Sequence, residues 1–247
     1  MEPLVDLDRL AATVEEDSAR YASAHPFRHI VLEDFLPANV LAQAVADFPT
    51  PKEITDWRRA DSTDARGRVA QSLKLGYSRE QNFSRTLWQL VHELNGGPFL
   101  RYLEKLTGID GLIPDPHLTG GGLHQYLPGA VLRVHADFNR LPGMNLDRRL
   151  NLLLYLNEDW RPEWGGDLEL WDEHMQRCEV RVPPLANRCV VFSTTSTSFH
   201  GMPDPLACPE GRTRRSLALY YYSNGRPADE KRPDHSTLWQ ARPHETA

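Results

Sequence analysis

The hydrophobic pattern of this chain changes period near residue 112, and that change constrains the fold more than any other feature. Before it, apolar residues recur at helical spacing. Leu4, Leu7, Leu10, Val14 and Tyr21 predict a first helix, and Leu36-Pro37 opens a second that ends near Asp47-Phe48. Ser84 caps a third carrying Leu87, Leu90, Val91 and Leu94, which stops at Gly96-Gly97. Pro98 begins a fourth, with Leu100, Leu103 and Leu106 inward and Gly108 as terminator. Between them His29–Leu32 reads as a strand, while residues 51–80 are polar, weakly periodic and read as irregular and mobile. After residue 112 come short β-rich runs at 122–127, 130–135, 149–156, 167–171, 178–182, 188–193 and 214–222, punctuated by Gly, Pro and Asn. That texture predicts a sandwich or barrel, and the lack of strand–helix alternation excludes a doubly wound sheet. The expected organisation is a single domain over 1–247, mainly β with α. It has a mostly helical region 1–112, a β core 113–225 and a solvated tail 226–247 in which Arg and Lys alternate with acids and Pro.

Charge narrows the partners. With 28 Lys+Arg against 34 Asp+Glu the formal net charge is -6, which excludes broad electrostatic capture of nucleic acid or an anionic membrane. No apolar run reaches the length of a spanning helix, and the start is acidic where a secretory signal is basic. Three cysteines without C-x-x-C spacing argue against a disulfide framework or a thiolate zinc site. The expected compartment is the cytoplasm.

Three features in the β region carry chemistry. His135 and Asp137 end a strand run, and residues i and i+2 of a strand face the same way, so imidazole and carboxylate aim at one point. Alone, a His-x-Asp is more often a surface hydrogen-bonding pair. His200 follows the strand Arg188–Phe192, and with it the three form the two-His, one-carboxylate set that suits Fe(II) with open positions. Arg214 shares a strand face with Ser216, Ala218 and Tyr220. Either this face is inward, and the arginine needs a carboxylate partner, or Arg214 faces solvent and Leu217 and Leu219 form the core.

In order and spacing these residues resemble the iron(II)- and 2-oxoglutarate-dependent oxygenases of the prolyl-4-hydroxylase-like group, over roughly residues 120–225. The resemblance runs through the Leu-Pro-Gly turn at 127–129, His135-x-Asp137, Asn151 to Asn157, Trp160, Gly165 to Leu170, the strand 188–193, His200 and Arg214-x-Ser216. More narrowly, Asp115 to Gln125 and Ser216 to Tyr222 resemble a bacterial subgroup with no single settled substrate. It implies a double-stranded β-helix, or jelly roll, with the helices packed outside one sheet. It implies Fe(II) on His135, Asp137 and His200, with 2-oxoglutarate and O2 as co-substrates. Arg214 would pair with the distal carboxylate of 2-oxoglutarate, with Ser216 and Tyr155 adding hydrogen bonds and Asn151, on the Tyr155 face, also lining the pocket. Many relatives use lysine about ten residues after the second histidine. Here the basic residue is arginine 14 positions on, beyond a turn lengthened by Cys208-Pro209-Glu210-Gly211. Parity excludes Arg215 but leaves Arg212 as a rival.

The resemblance implies a hydroxylase, because the halogenase branch replaces the carboxylate with a small residue and this chain keeps Asp137. Its expected substrate is a small molecule or carrier-bound intermediate. The alternatives are a peptidyl prolyl hydroxylase, a catalytically silent jelly-roll binding module, and a zinc hydrolase on the same triad. The last would leave Arg214 without a role.

Overall fold

A computed structural model describes residues 2–141 and 143–245. Met1, Pro142 and the last two residues of the expected tail lie outside the described residues. The chain opens with helix α1 (Leu7–Ser23), strand β1 (His29–Leu32) and helix α2 (Ala38–Ala46). It continues through β2 (Arg58–Arg59), β3 (Ser62–Thr63) and β4 (Val69–Tyr77), then helices α3 (Arg85–Leu94) and α4 (Gly97–Thr107). The core follows as β5 (Ile113–Pro114), β6 (Gly122–Ala136), β7 (Arg140–Leu141), β8 (Leu146–Tyr155) and β9 (Leu168–Trp171). It closes with β10 (Cys178–Val182), β11 (Cys189–Ser193), β12 (His200–Met202), β13 (Arg214–Ser223) and β14 (Leu238–Trp239).

Local chemistry sets the helix ends. The Asp6 carboxylate accepts the Arg9 N–H at 3.0 Å ahead of α1, and the Ser84 hydroxyl accepts that of Leu87 ahead of α3. Gly108 ends α4 at φ 69, a left-handed cap. Apolar faces of these helices, including Tyr21, Leu87, Leu90 and Leu103, pack on Leu152, Leu154, Leu217 and Leu219 of β8 and β13 in one buried cluster.

The antiparallel strands follow the order β1-β11-β8-β13-β6-β12-β9-β10. The 15-residue strand β6 joins two walls: Gly122–Tyr126 pair with β13, and Leu132–His135 pair with β12. Tyr155, Val190 and Phe192 of one wall pack on Leu168, Leu170 and Val182 of the other, so the two sheets face each other around an interior. This nearly closed antiparallel arrangement is a jelly-roll core with helices outside one sheet.

Two stretches differ from the sequence expectation. Residues 51–57 and 64–68 are irregular as expected, but most of the rest of 51–80 is not, because β4 pairs with β6 from Gln71 to Tyr77, with β2 and β3 folded on its other edge. Their polar composition reflects a strand lining a wet cavity on one side. The tail is likewise not wholly solvated. β14 pairs with β6, setting Leu238 opposite Ala136 and Trp239 opposite His135. A two-residue strand bonded to a partner a hundred positions away leaves no periodicity to read.

Candidate active site

His135 and His200 come from different strands and sit directly opposite each other in the β6–β12 register, with ring centroids 4.5 Å apart. The approach depends on Gly201: a Cβ there would lie 2.8 Å from the Leu132 carbonyl oxygen and 2.9 Å from that of Arg133. Each imidazole is turned by its own backbone. His135 Nδ1 lies 2.8 Å from the Arg133 carbonyl, and His200 Nδ1 lies 2.9 Å from that of Ser198. A carbonyl only accepts, so in each ring Nδ1 is the nitrogen that donates and Nε2 is the one turned toward the site. Burial, with His135 beside it, pushes the His200 pKa down to about 4, which keeps that ring neutral at physiological pH.

Asp137 completes the set. Its carboxylate lies 3.7 Å from His135 Nε2 and 3.5 Å from His200 Nε2, and the ligand atoms of the three residues fall within 4.8 Å of one another. Metal bonds of about 2.1 Å at right angles would place neighbouring donors about 3 Å apart. The two carboxylate-to-imidazole separations exceed that spacing by less than 1 Å, and the two-histidine, one-carboxylate donor set suits a divalent ion with positions left open.

The carboxylate is itself held. Asn151 Nδ2 donates to Asp137 Oδ2 at 2.8 Å, and Arg148 Nη2 meets the same oxygen at 3.1 Å. Arg148 also donates to Asn151 Oδ1 through Nε at 3.1 Å and Nη2 at 2.7 Å, and stacks 3.7 Å from the centroid of the Tyr220 ring. Burial acts to raise the Asp137 pKa, but Arg148 above all, with the two histidines, holds it well below the ordinary range. Asn151 lines the cavity, as its strand parity implies, yet its amide is committed to Asp137 and Arg148. Sequence reasoning missed Arg148, because alternation places it with Leu150 and Leu152 on the helix side. A register shift, setting Tyr221 opposite Leu150 but Tyr222 opposite Arg148, turns it inward.

A second group lies along β13. Arg214 is buried, donating from Nε to the Gly166 carbonyl at 2.6 Å and from Nη2 to the Tyr155 hydroxyl at 3.1 Å. Ser216 stands opposite Tyr155 on the neighbouring strand. Gly166 is required where it is, since a Cβ there would come within 3.1 Å of Arg214 Cδ. Of the two readings open at the sequence level, the inward one describes the structure: Leu217 and Leu219 face the helices and Arg214 faces the cavity. Arg212 is exposed and stacks on Trp164, and Arg215 lies over Phe48 on the outer side.

These groups share one cavity of about 470 Å³. β2–β4 form one side of it through Arg58, Gln71, Lys74 and Gly76, and the chain's last segment forms another through Ser236, Thr237 and Trp239. The Trp239 ring lies 4.9 Å from that of His135. His124 also faces the cavity, with Nε2 3.0 Å from the Gly120 carbonyl, whereas His174 is exposed beside Glu173.

Residues 121–222, which contain the triad and Arg214, match the family model of the 2OG-Fe(II) oxygenase superfamily. The matched stretch of the core is thus similar to a 2OG-Fe(II) oxygenase domain. The family works with Fe(II), 2-oxoglutarate and O2, and the His-Asp-His triad of this domain suits the metal. The mouse protein named Prolyl 3-hydroxylase OGFOD1 is 27% identical over 201 residues, which is 80% of this chain but 33% of the relative, so the chain spans about a third of that protein. Among solved structures, the Trichoplax adhaerens prolyl hydroxylase in complex with a hypoxia inducible factor peptide fragment superimposes with a TM-score of 0.62 at 14% identity, covering 88% of this chain and 92% of that one. The non-heme alpha ketoglutarate dependent epimerase SnoN from nogalamycin biosynthesis gives 0.57 at 16% identity, covering 94% and 97%. The chain thus has the fold of these solved proteins.

Proposed function

We propose that this oxygenase domain hydroxylates an unactivated C–H bond of a small molecule or carrier-bound intermediate. In this reading His135, Asp137 and His200 hold the iron, and Arg214, Tyr155 and Ser216 receive the distal carboxylate of 2-oxoglutarate. Bound iron supplies the oxidising chemistry, taking 2-oxoglutarate and O2 to succinate and carbon dioxide. The observation that carries the reading is the pairing of two unfinished groups in one cavity. Three donors converge on one point, and Arg214 is a buried guanidinium hydrogen-bonded to neutral oxygens, with no carboxylate partner among the described residues. A buried cation so placed is costly until an anion meets it, and a dicarboxylate supplies one. Neither a silent binding module nor a zinc hydrolase would need both groups.

The chain's own residues do the rest. Arg148 and Asn151 hold the Asp137 carboxylate in one orientation, and Trp239 covers His135 from the side of the last strand. Leu153, Leu168 and Phe192 form an apolar floor that limits water. The walls built by β2–β4 and the final segment favour a small substrate over a long peptide lying in an open groove.

A second reading, peptidyl prolyl hydroxylation, is favoured by the likeness to the mouse prolyl 3-hydroxylase. The fold does not separate the two, since its neighbours include a peptide complex and an enzyme of nogalamycin biosynthesis. Succinate formation from 2-oxoglutarate, by protein loaded with Fe(II) without oxygen and then aerated, tests both. Small amino and hydroxy acids and proline-containing peptides are added in parallel. Stimulation by small molecules is expected. Stimulation by the peptides alone would move the assignment to the second reading, and succinate undiminished in His200→Ala would overturn the oxygenase site.

A further inference from the structure

Lys74 has no part in the reading above, yet its placement in the cavity is held by a strained device. Strand β4 breaks its alternation at Leu73, which adopts φ 55, a region a leucine rarely takes. The Leu73 N–H donates to the Asp61 carboxylate at 2.9 Å, and the register against β6 shifts between Ser72 and Lys74. A bulge of this kind re-aims the next side chain. Here it turns Lys74 onto the cavity face, opposite Tyr126, with Nζ 5.7 Å from that ring's centroid.

The charges of the cavity do not balance. Four cations line it, Arg58, Lys74, Arg148 and Arg214, and among the described residues Asp137 is the one acid that does. Arg148 is spent on Asp137. Iron at two plus and 2-oxoglutarate at two minus would add no net charge, so the cavity would keep an excess of three positive charges even with Arg214 on the distal carboxylate. Lys74 and Arg58 would still have no anion, inside a protein whose net charge is -6. Burial acts against the Lys74 ammonium and lowers its pKa, and nearby Arg148 and Arg58 act in the same direction against the opposing pull of Tyr220 and Asp137.

We propose that Lys74 anchors a carboxylate of the substrate, so that the oxygenase acts on a carboxylate-bearing molecule drawn in past Arg58 at the mouth. The inference rests on the oxygenase reading and adds the substrate's charge to it. A carboxylate fits better than a phosphate, because among the described residues none from the first turn of a helix lines the cavity and phosphate sites commonly use those amides. A single ammonium meeting a carboxylate is a charge-assisted contact that an uncharged amide cannot reproduce.

The test uses the full chain loaded with Mn(II) and saturating 2-oxoglutarate without oxygen, so that Arg214 is already occupied. Butyrate, benzoate and N-acetyl-L-proline are titrated calorimetrically against their matched amides, with inorganic phosphate as a further arm. Wild type is expected to bind at least one carboxylate about tenfold or more tighter than its amide, the size of one charge-assisted contact. Lys74→Gln should remove that preference at unchanged 2-oxoglutarate affinity, and Lys74→Arg should restore it, which separates lost charge from lost folding. Equal binding of acids and amides, no binding of any acid, or a preference that survives Lys74→Gln would overturn the proposal. So would phosphate binding tighter than every carboxylate, or Lys74→Gln weakening 2-oxoglutarate instead. Failure of wild type to bind 2-oxoglutarate at all would overturn the underlying oxygenase reading.

Discussion

Asp137 is fixed by its neighbours as firmly as by its own backbone. Asn151 and Arg148 both engage Oδ2, while Oδ1 faces His135 Nε2 at 3.7 Å. Groups behind a ligand commonly govern metal affinity by ten- to hundredfold. Asn151→Ala is therefore expected to weaken Fe(II) or Mn(II) binding by about that factor in a metal titration, with 2-oxoglutarate affinity for the loaded protein changed far less. An equal loss in 2-oxoglutarate affinity would return Asn151 to the co-substrate role that its parity with Tyr155 first implied. Much at this scale was legible. The His-x-Asp spacing put two side chains on one strand face, and Arg214-x-Ser216 put two more on another. Arg148 was not, because the bulge at its end of β8 reverses the face that alternation assigns. Lys74 was hidden in the same way by the bulge at Leu73.

At the scale of elements, the site depends on two pieces that contribute little core. The last strand is held at its end by side chains: Arg242 pairs with Asp204 at 2.7 Å and with Glu245 at 2.9 Å, and Glu245 meets Arg133 at 2.8 Å. Glu245→Ala should free this segment, read as faster hydrogen exchange at the Gln240 N–H, which is bonded to the Val134 carbonyl at 2.8 Å. Unchanged exchange would mean that β-pairing alone secures it. Acid should do the same. Burial acts to raise the Glu245 pKa, but hydrogen bonds from Arg242 and the charges of Arg242 and Arg133 bring it below its ordinary 4.5. A carboxylate whose pKa is depressed by folding contributes fully above its unfolded value and loses that contribution as the pH falls through the folded one. Protection of the Gln240 N–H, taken relative to its intrinsic exchange rate at each pH, should thus decline below pH 4.5 in wild type, and less so in Glu245→Ala. The main helices and the long strands were legible because each buries a periodic apolar face. The strand β4 and the last segment were not, since their order comes from backbone pairing with β6 and from ion pairs between distant residues.

The whole molecule is organised around the sheet formed by β8 and β13, with the helices on its apolar face and the cavity on the other. Alternation along β13 separates the two roles: Leu217 and Leu219 toward the helices, Arg214 and Ser216 toward the cavity. Leu219 is fully buried, so Leu219→Ala is expected to cost about 2–5 kcal/mol in denaturant unfolding. The same shared core leads us to expect a single transition by both near- and far-UV signals; two separated transitions would mean that the helical region and the jelly roll fold independently. The central claim concerns the cavity face, and its most direct test is an anaerobic titration of the Fe(II)-loaded protein with 2-oxoglutarate, followed by the visible charge-transfer absorption of the complex. Wild type should develop the band, His200→Ala should fail to hold the iron, and Arg214→Ala should keep the iron but bind 2-oxoglutarate at least tenfold more weakly, the loss of a charge-assisted pair. A wild-type protein that develops no band, or an Arg214→Ala variant that binds 2-oxoglutarate as tightly as wild type, would contradict the assignment.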